Sequence, residues 1–155
     1  MEFRQFIASL PAFEGLPEQD FEALLQVLHY EPHIEGYEFF TQGTPHGAMY
    51  VLLEGSVRVT HRDDNGNQVD ALELRSGEVF GLLGLVEDGL PATATAIATT
   101  PVGAVTLTRE AYQWLFAAAP TLAHRLQYMI AVQLARELQY RNRLLRIRIR
   151  TGATA

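Results

Sequence analysis

Between Phe80 and Ala98 the chain reads FGLLGLVEDGLPATATAIA, and the chemistry it offers lies mostly in its backbone. Gly81 and Gly84 flank the start of one short turn of helix-forming residues. Without β-carbons the backbone there can come close to another group, and the free N–H groups of a helix start favour an anion, phosphate above all. The acidic turn Glu87-Asp88-Gly89 and Pro91 follow, and Thr93 and Thr95 then supply hydroxyls. The predicted order is a strand end, a single exposed helical turn, a loop and a returning strand.

Other chemistries find little support. With no cysteine, disulfides, zinc–thiolate sites and cysteine-held clusters are excluded. The five histidines are scattered: Pro32 interrupts the helical spacing of His29 and His33, and His46 stands in a glycine-rich turn with Glu54 as its one nearby acid. No metal site is expected. Ser9, Ser56 and Ser76 sit in capping or turn contexts, and no nucleophile is paired with a base, so no catalytic residue is assigned.

The elements that must position the glycine-rich stretch are legible from periodicity. Phe3, Phe6, Ile7 and Leu10 fall at helical spacing, and Leu10-Pro11 breaks the run. Pro17-Glu18-Gln19-Asp20 opens a second helix, its acids complementing its own dipole, with Phe21, Leu24, Leu25 and Leu28 as the buried stripe. From 30 to 107, period-two runs between glycines predict the short strands of an all-β sandwich or barrel. Met49 to Leu53 reads as a central strand, Val57 and Val59 point inward, and Asp64-Asn65-Gly66-Asn67 marks a hairpin.

Thr108 is placed to cap a helix carrying Tyr112, Leu115 and Phe116. Pro120 ends that piece, and Thr121 can cap a long helix reaching about Leu145. Leu122, Leu126, Met129, Ile130, Leu134 and Leu138 line one of its sides without a sustained heptad. Residues 144–150, LLRIRIR, alternate and fit either a short strand or a frayed helix end. Together these elements predict one domain over 1–155, with a helical lead-in at 1–29, a β region at 30–107 and C-terminal helices at 108–147.

Composition bounds the reading. The 155 residues are 48% hydrophobic and 19% charged, as expected of a folded globular chain. Net charge is −6, against general affinity for nucleic acid. All twelve basic residues are arginines. Six lie between Arg136 and Arg150, while residues 1–135 set six arginines against seventeen acids, a net −11. The N-terminus has no apolar signal core and no apolar run reaches membrane length, so the expected compartment is the cytoplasm.

Phe80, Gly81, Leu83, Gly84, Leu85, Pro91, Ala94 and Thr95 together resemble the phosphate-binding cassette of cyclic-nucleotide-binding domains of the catabolite-activator kind. The runs LPAFEGLPEQDFEALLQVL and IEGYEFFTQGTPHGAMYVLLEGSVRV are similar to the same family, so the likeness spans roughly residues 10–145. It implies a mainly β fold, a double-stranded β-helix (jelly-roll) barrel with N-terminal helices and a long C-terminal helix. It implies a cyclic nucleotide ligand, cyclic AMP or an atypical one, at Gly81, Leu82, Leu83, Gly84, Leu85, Pro91, Ala92, Thr93 and Thr95. Gln133, Glu137 and Tyr140 on the covering helix would meet a base edge. It also implies a homodimer seamed by Leu122, Leu126, Met129, Ile130, Leu134 and Leu138. Haem held by a histidine, known in some relatives, stays open with no residue pattern in its favour.

Two positions depart from the family pattern. Leu82 stands where the family places the glutamate that takes the ribose hydroxyl, and Ala92 where it places the phosphate-binding arginine. Losing a bidentate arginine costs about 3 kcal/mol, roughly a hundredfold in affinity. Cyclic AMP binding is therefore expected to be weak or absent. Family members that bind DNA carry a further module after the long helix, and here about ten residues follow Leu145. No specific nucleic-acid or membrane partner is expected, and the chain reads either as a stand-alone sensor or as one from which a module was cut. Two roles stay open: a ligand-sensing regulatory module, or an adaptor that keeps the fold and binds a protein partner without a ligand.

Overall fold

The computed structural model describes residues 3–86 and 90–150. The acidic turn at 87–89 lies outside the described residues.

Eight strands form two antiparallel four-stranded sheets. They are β1 (His29–His33), β2 (Glu38–Phe40), β3 (Ala48–Glu54), β4 (Val57–Arg62), β5 (Gln68–Leu74), β6 (Val79–Phe80), β7 (Thr95–Ala98) and β8 (Val102–Thr108). One sheet runs β1-β8-β3-β6 and the other β2-β7-β4-β5. The architecture is jelly-roll-like, with two sheets rather than one closed hydrogen-bonded barrel. The β4–β5 hairpin turns at the predicted site: Gly66 takes φ 82, and Asp63 Oδ1 accepts from the N–H groups of Asn65 and Asn67, each at 2.9 Å.

The unbroken apolar character of β3 has a simple cause: both its faces are covered. Met49 and Val51, with Val105 and Leu107 of β8, face the helices. Leu52, with Val102 and Ala104 of β8, faces the second sheet, where Phe39, Val57, Leu74, Phe80, Ala96 and Ala98 complete a core between the layers. Alternation along a strand thus feeds two cores at once.

Four helices cover the first sheet's outer face: α1 (Phe3–Ser9), α2 (Glu18–Val27), α3 (Arg109–Ala118) and α4 (Pro120–Arg150). Thr108 caps α3 as predicted, its side chain accepting from Ala111 N at 3.1 Å. The start of α4 corrects the sequence reading. Asp20 of α2, expected to serve its own helix, is buried and accepts from Leu122 N at 3.0 Å, so the capping contact comes from 102 residues away rather than from Thr121. Residues 144–150 are helical and extend α4.

The apolar side of α4 divides. Leu122 and Leu126 are fully buried, Ile130 nearly so, and all three belong to the helix-side core. Met129 is half-buried and packs against the same core. Leu134 and Leu138, in contrast, are 43% and 61% exposed. The predicted seam is corrected accordingly: Leu122, Leu126 and Ile130 are occupied within their own domain.

Candidate functional site

The stretch from Gly81 onward folds into a short 3-10 turn over Leu82–Leu85, entered through Gly81 in the left-handed region at φ 77. Leu83, Gly84 and Leu85 are buried, so the turn is a packed element and not the exposed one expected. Leucines on both sides of Gly84 anchor it to the helix-side core. A β-carbon on Gly84 would lie 2.5 Å from both Ala48 O and His46 Nδ1. The close approach that glycine permits here is to the protein's own chain.

Beside this turn lies a cavity of ≈ 200 Å³ between the second sheet and α4. Phe40, Phe80, Leu82 and His61 are among its walls, and Gln133 and Glu137 reach it from α4. A second cavity of ≈ 370 Å³ continues outward along the helix, sharing His61, Thr93 and Glu137 and adding Arg62, Tyr140 and Arg141. Gln133 Nε2 donates to Glu137 Oε1 at 3.2 Å, and among the described residues the Glu137 carboxylate forms no ion pair.

Of the residues assigned from sequence, Gly81, Leu82, Leu83 and Thr93 line the inner cavity. Gly84, Leu85, Pro91, Ala92 and Thr95 do not; they hold it together. Ala92 is buried, donating to Thr44 O at 2.9 Å and accepting from Gly43 N at 2.8 Å. Pro91 bridges to Pro45, and Thr95 Oγ1 accepts from Gln42 N at 2.9 Å. These contacts fasten the returning strand to the 42–45 loop, so the Thr95 hydroxyl is engaged within the protein. Gln133 and Glu137 meet the inner cavity and Tyr140 the outer one.

Three contacts were not legible. Arg109, at the first position of α3, donates through Nε to Val86 O at 2.7 Å and through Nη2 to His46 O at 2.8 Å. It clamps the end of the turn to the loop that carries His46. His46 stacks on Phe40 with ring centroids 4.5 Å apart, and its buried Nδ1 has no hydrogen-bond partner among the described residues. Burial lowers its pKa from the ordinary 6.5, the Ala48 carbonyl acts in the opposite sense, and Arg109 adds a smaller lowering. Glu54, read from the sequence as the acid near His46, instead accepts from Tyr30 Oη at 3.0 Å.

The third contact joins the second sheet to α4. His61 Nδ1 lies 2.6 Å from Asp70 Oδ1 across β4 and β5, and the His61 ring sits 5.0 Å from that of Tyr140. Burial first and the Asp70 carboxylate second push the Tyr140 phenol up to about 12. A signal existed for the first half of this cluster, since His61 and Asp70 flank a recognisable hairpin at cross-strand positions. Nothing in the sequence placed Tyr140 over them. Among the described residues no three His, Cys, Asp or Glu side chains gather to hold a metal ion, and no helix is long and apolar enough to cross a membrane.

Comparison with known proteins places this geometry. The family model for the cyclic nucleotide-binding domain matches residues 35–119. The CRP-like cAMP-activated global transcriptional regulator of Mycobacterium tuberculosis is 26% identical over 132 residues, covering 85% of this chain and 58% of that protein. The crystal structure of Thermus thermophilus catabolite activator protein superposes with a TM-score of 0.73 at 30% identity, covering 87% of this chain and 62% of that one. The regulatory subunit of a cAMP-independent protein kinase A from Trypanosoma brucei superposes with a TM-score of 0.66 at 26% identity, covering 78% and 44%. The chain spans little more than half the length of the first two curated relatives it matches.

Proposed function

This chain belongs to the cyclic nucleotide-binding domain family, and from that premise we propose that it is a non-catalytic regulatory module whose cavity binds cyclic AMP weakly or not at all. The observation that carries the reading is the cavity's wall. Leu82 lines it where the family pattern has a ribose-binding glutamate, the buried Ala92 next to the lining residue Thr93 stands where the pattern has an arginine, and Glu137 reaches in from α4. A cyclic phosphate would meet a carboxylate and no guanidinium in the inner cavity. A regulatory subunit of similar fold serves a cAMP-independent protein kinase A in Trypanosoma brucei.

Calorimetric titration with cyclic AMP tests this. Wild type is expected to bind poorly, and the double variant Leu82→Glu, Ala92→Arg to recover about a hundredfold. Ala92→Arg alone should recover the larger share and Leu82→Glu alone little, since a carboxylate without its arginine repels the phosphate. Tight binding by wild type would overturn the reading. A folded double variant that still fails to bind would favour the adaptor role.

Homodimerisation belongs to the same proposal, with its seam moved outward. Tyr128, Ala131, Ala135, Leu138, Asn142, Leu145 and Ile149 are all exposed and alternate three and four residues apart along α4. That is a heptad seam with one polar position, which in paired helices sets register. The helix reaches well beyond the part its own barrel covers, and an apolar stripe of this length is best satisfied by a second copy. An output through a protein partner, and a cytoplasmic setting, complete the proposal; no specific nucleic-acid contact is included. The six arginines at the end of α4 would give only salt-sensitive attraction to DNA.

A further inference from the structure

The charge and hydrogen-bonding pattern of the inner cavity point beyond weak binding of an anion, toward a ligand of the opposite kind; this rests on the reading that the cavity is a ligand site. Its wall contains one carboxylate, Glu137, and no arginine. The outer cavity sets Asp63, Asp64 and Glu137 against Arg62 and Arg141, so carboxylates still outnumber guanidiniums. Glu137 has no cationic partner among the described residues. Because the Gln133 amide donates to Glu137 through Nε2, its oxygen remains available as an acceptor. The α4 side of the cavity is therefore rich in acceptors and negative. The opposite walls are flat and apolar: Phe40, Phe80 and Leu82, with the His61 ring turned toward α4 and held by Asp70.

We propose that this cavity binds a planar aromatic cation, of the amidinium or protonated heterocyclic amine class, with its N–H groups on Glu137 and Gln133 and its ring against Phe40 and His61. A charge-assisted bond to a half-buried carboxylate is about twice as strong as a neutral one, and aromatic faces favour a cation beside them. A cavity of ≈ 200 Å³ is of the right order for one substituted ring, since an apolar cavity of about 150 Å³ accommodates benzene.

The test uses three probes of nearly one shape: benzamidine (cationic), benzamide (neutral) and benzoate (anionic), titrated into the full chain by ligand-observed NMR at neutral pH. Wild type should bind benzamidine at least about tenfold more tightly than benzoate, with benzamide between them, ~1.4 kcal/mol across the series. Glu137→Gln, which keeps the side chain's shape, should bring benzamidine and benzoate within about threefold of each other. Gln133→Leu should weaken benzamide and benzamidine alike. Equal affinities in wild type, failure of benzamidine to bind at millimolar concentration, or a preference that survives Glu137→Gln in a folded variant would each overturn the inference. Tight cyclic AMP binding would instead overturn the functional reading on which it rests, so the two failures are distinct.

Discussion

The first half of α4 and its second half are built from the same kinds of residue and meet opposite surroundings. Leu122, Leu126 and Ile130 are enclosed by α2, α3 and the first sheet, whereas Leu138, Leu145 and Ile149 are more than half exposed. Leucine at helical spacing is therefore not one signal. Whether such a stripe stabilises a fold or presents a surface depends on how far the rest of the domain reaches along the helix. Where the first half gives way to the second lie Gln133 and Glu137, which line the inner cavity; Tyr140, Arg141, Leu144 and Leu145 continue along the outer one. The covering segment of α4 is thus the short length where the helix passes from core to exposed surface, well placed to report whether the cavity is filled.

The largest expected effect is in the first half. Leu126→Ala should destabilise the fold by ~2–5 kcal/mol, because it removes a fully buried side chain from a packed core. Chemical denaturation measures this, and a loss well under 1 kcal/mol would mean that the core here can collapse around the gap. Asp20→Ala comes next, at about 1–3 kcal/mol, since it leaves the buried Leu122 N–H without its acceptor. Asp20→Asn, which keeps an acceptor oxygen, should recover part of that loss.

Tyr140→Phe tests the junction. Losing the phenol's interaction with Asp70 should cost no more than about 1 kcal/mol. Its pH dependence has a definite sign. The Tyr140 phenol is raised from 10 to about 12 in the fold, so its contribution is fully present below pH 10 and is lost as pH rises toward 12. Tyr50 is raised to the same value, by burial, and is unchanged in the variant. The stability difference between wild type and Tyr140→Phe should therefore shrink between pH 10 and 12, as followed by denaturation at a series of alkaline pH values. A difference that stays constant over that range would show that the fold does not raise the Tyr140 phenol.

The smallest effect on the fold is expected in the second half. Leu138→Ala should change the stability of the dilute chain by no more than about 0.5 kcal/mol. The same position should dominate association: Leu138→Arg combined with Leu145→Arg is expected to turn a sedimenting dimer into a monomer with an unchanged circular dichroism spectrum. A monomer already in wild type at tens of micromolar, a concentration chosen against the usual affinity scale, would remove the dimer proposal.

Much of the fold was legible because it rests on local rules. Thr108 caps whatever helix follows it, the Asp64–Asn67 turn closes a hairpin by its own hydrogen bonds, and the period-two runs set which strand faces are apolar. The glycine-rich stretch was recognised for the same reason. What the sequence could not supply is what each residue touches. Gly84 was read as room for a ligand, and its missing β-carbon makes room for His46. Asp20 was read as serving its own helix, and it caps one that begins a hundred residues later. Of the seam assigned on α4 the domain itself uses Leu122, Leu126 and Ile130, while the exposed heptad, which shares Leu138 with that assignment, differs by only a small rotation about the helix axis. Periodicity specifies that a helix has an apolar face. Only the packed structure decides where along the helix that face runs out of partners, because enclosure depends on chain segments far apart in sequence.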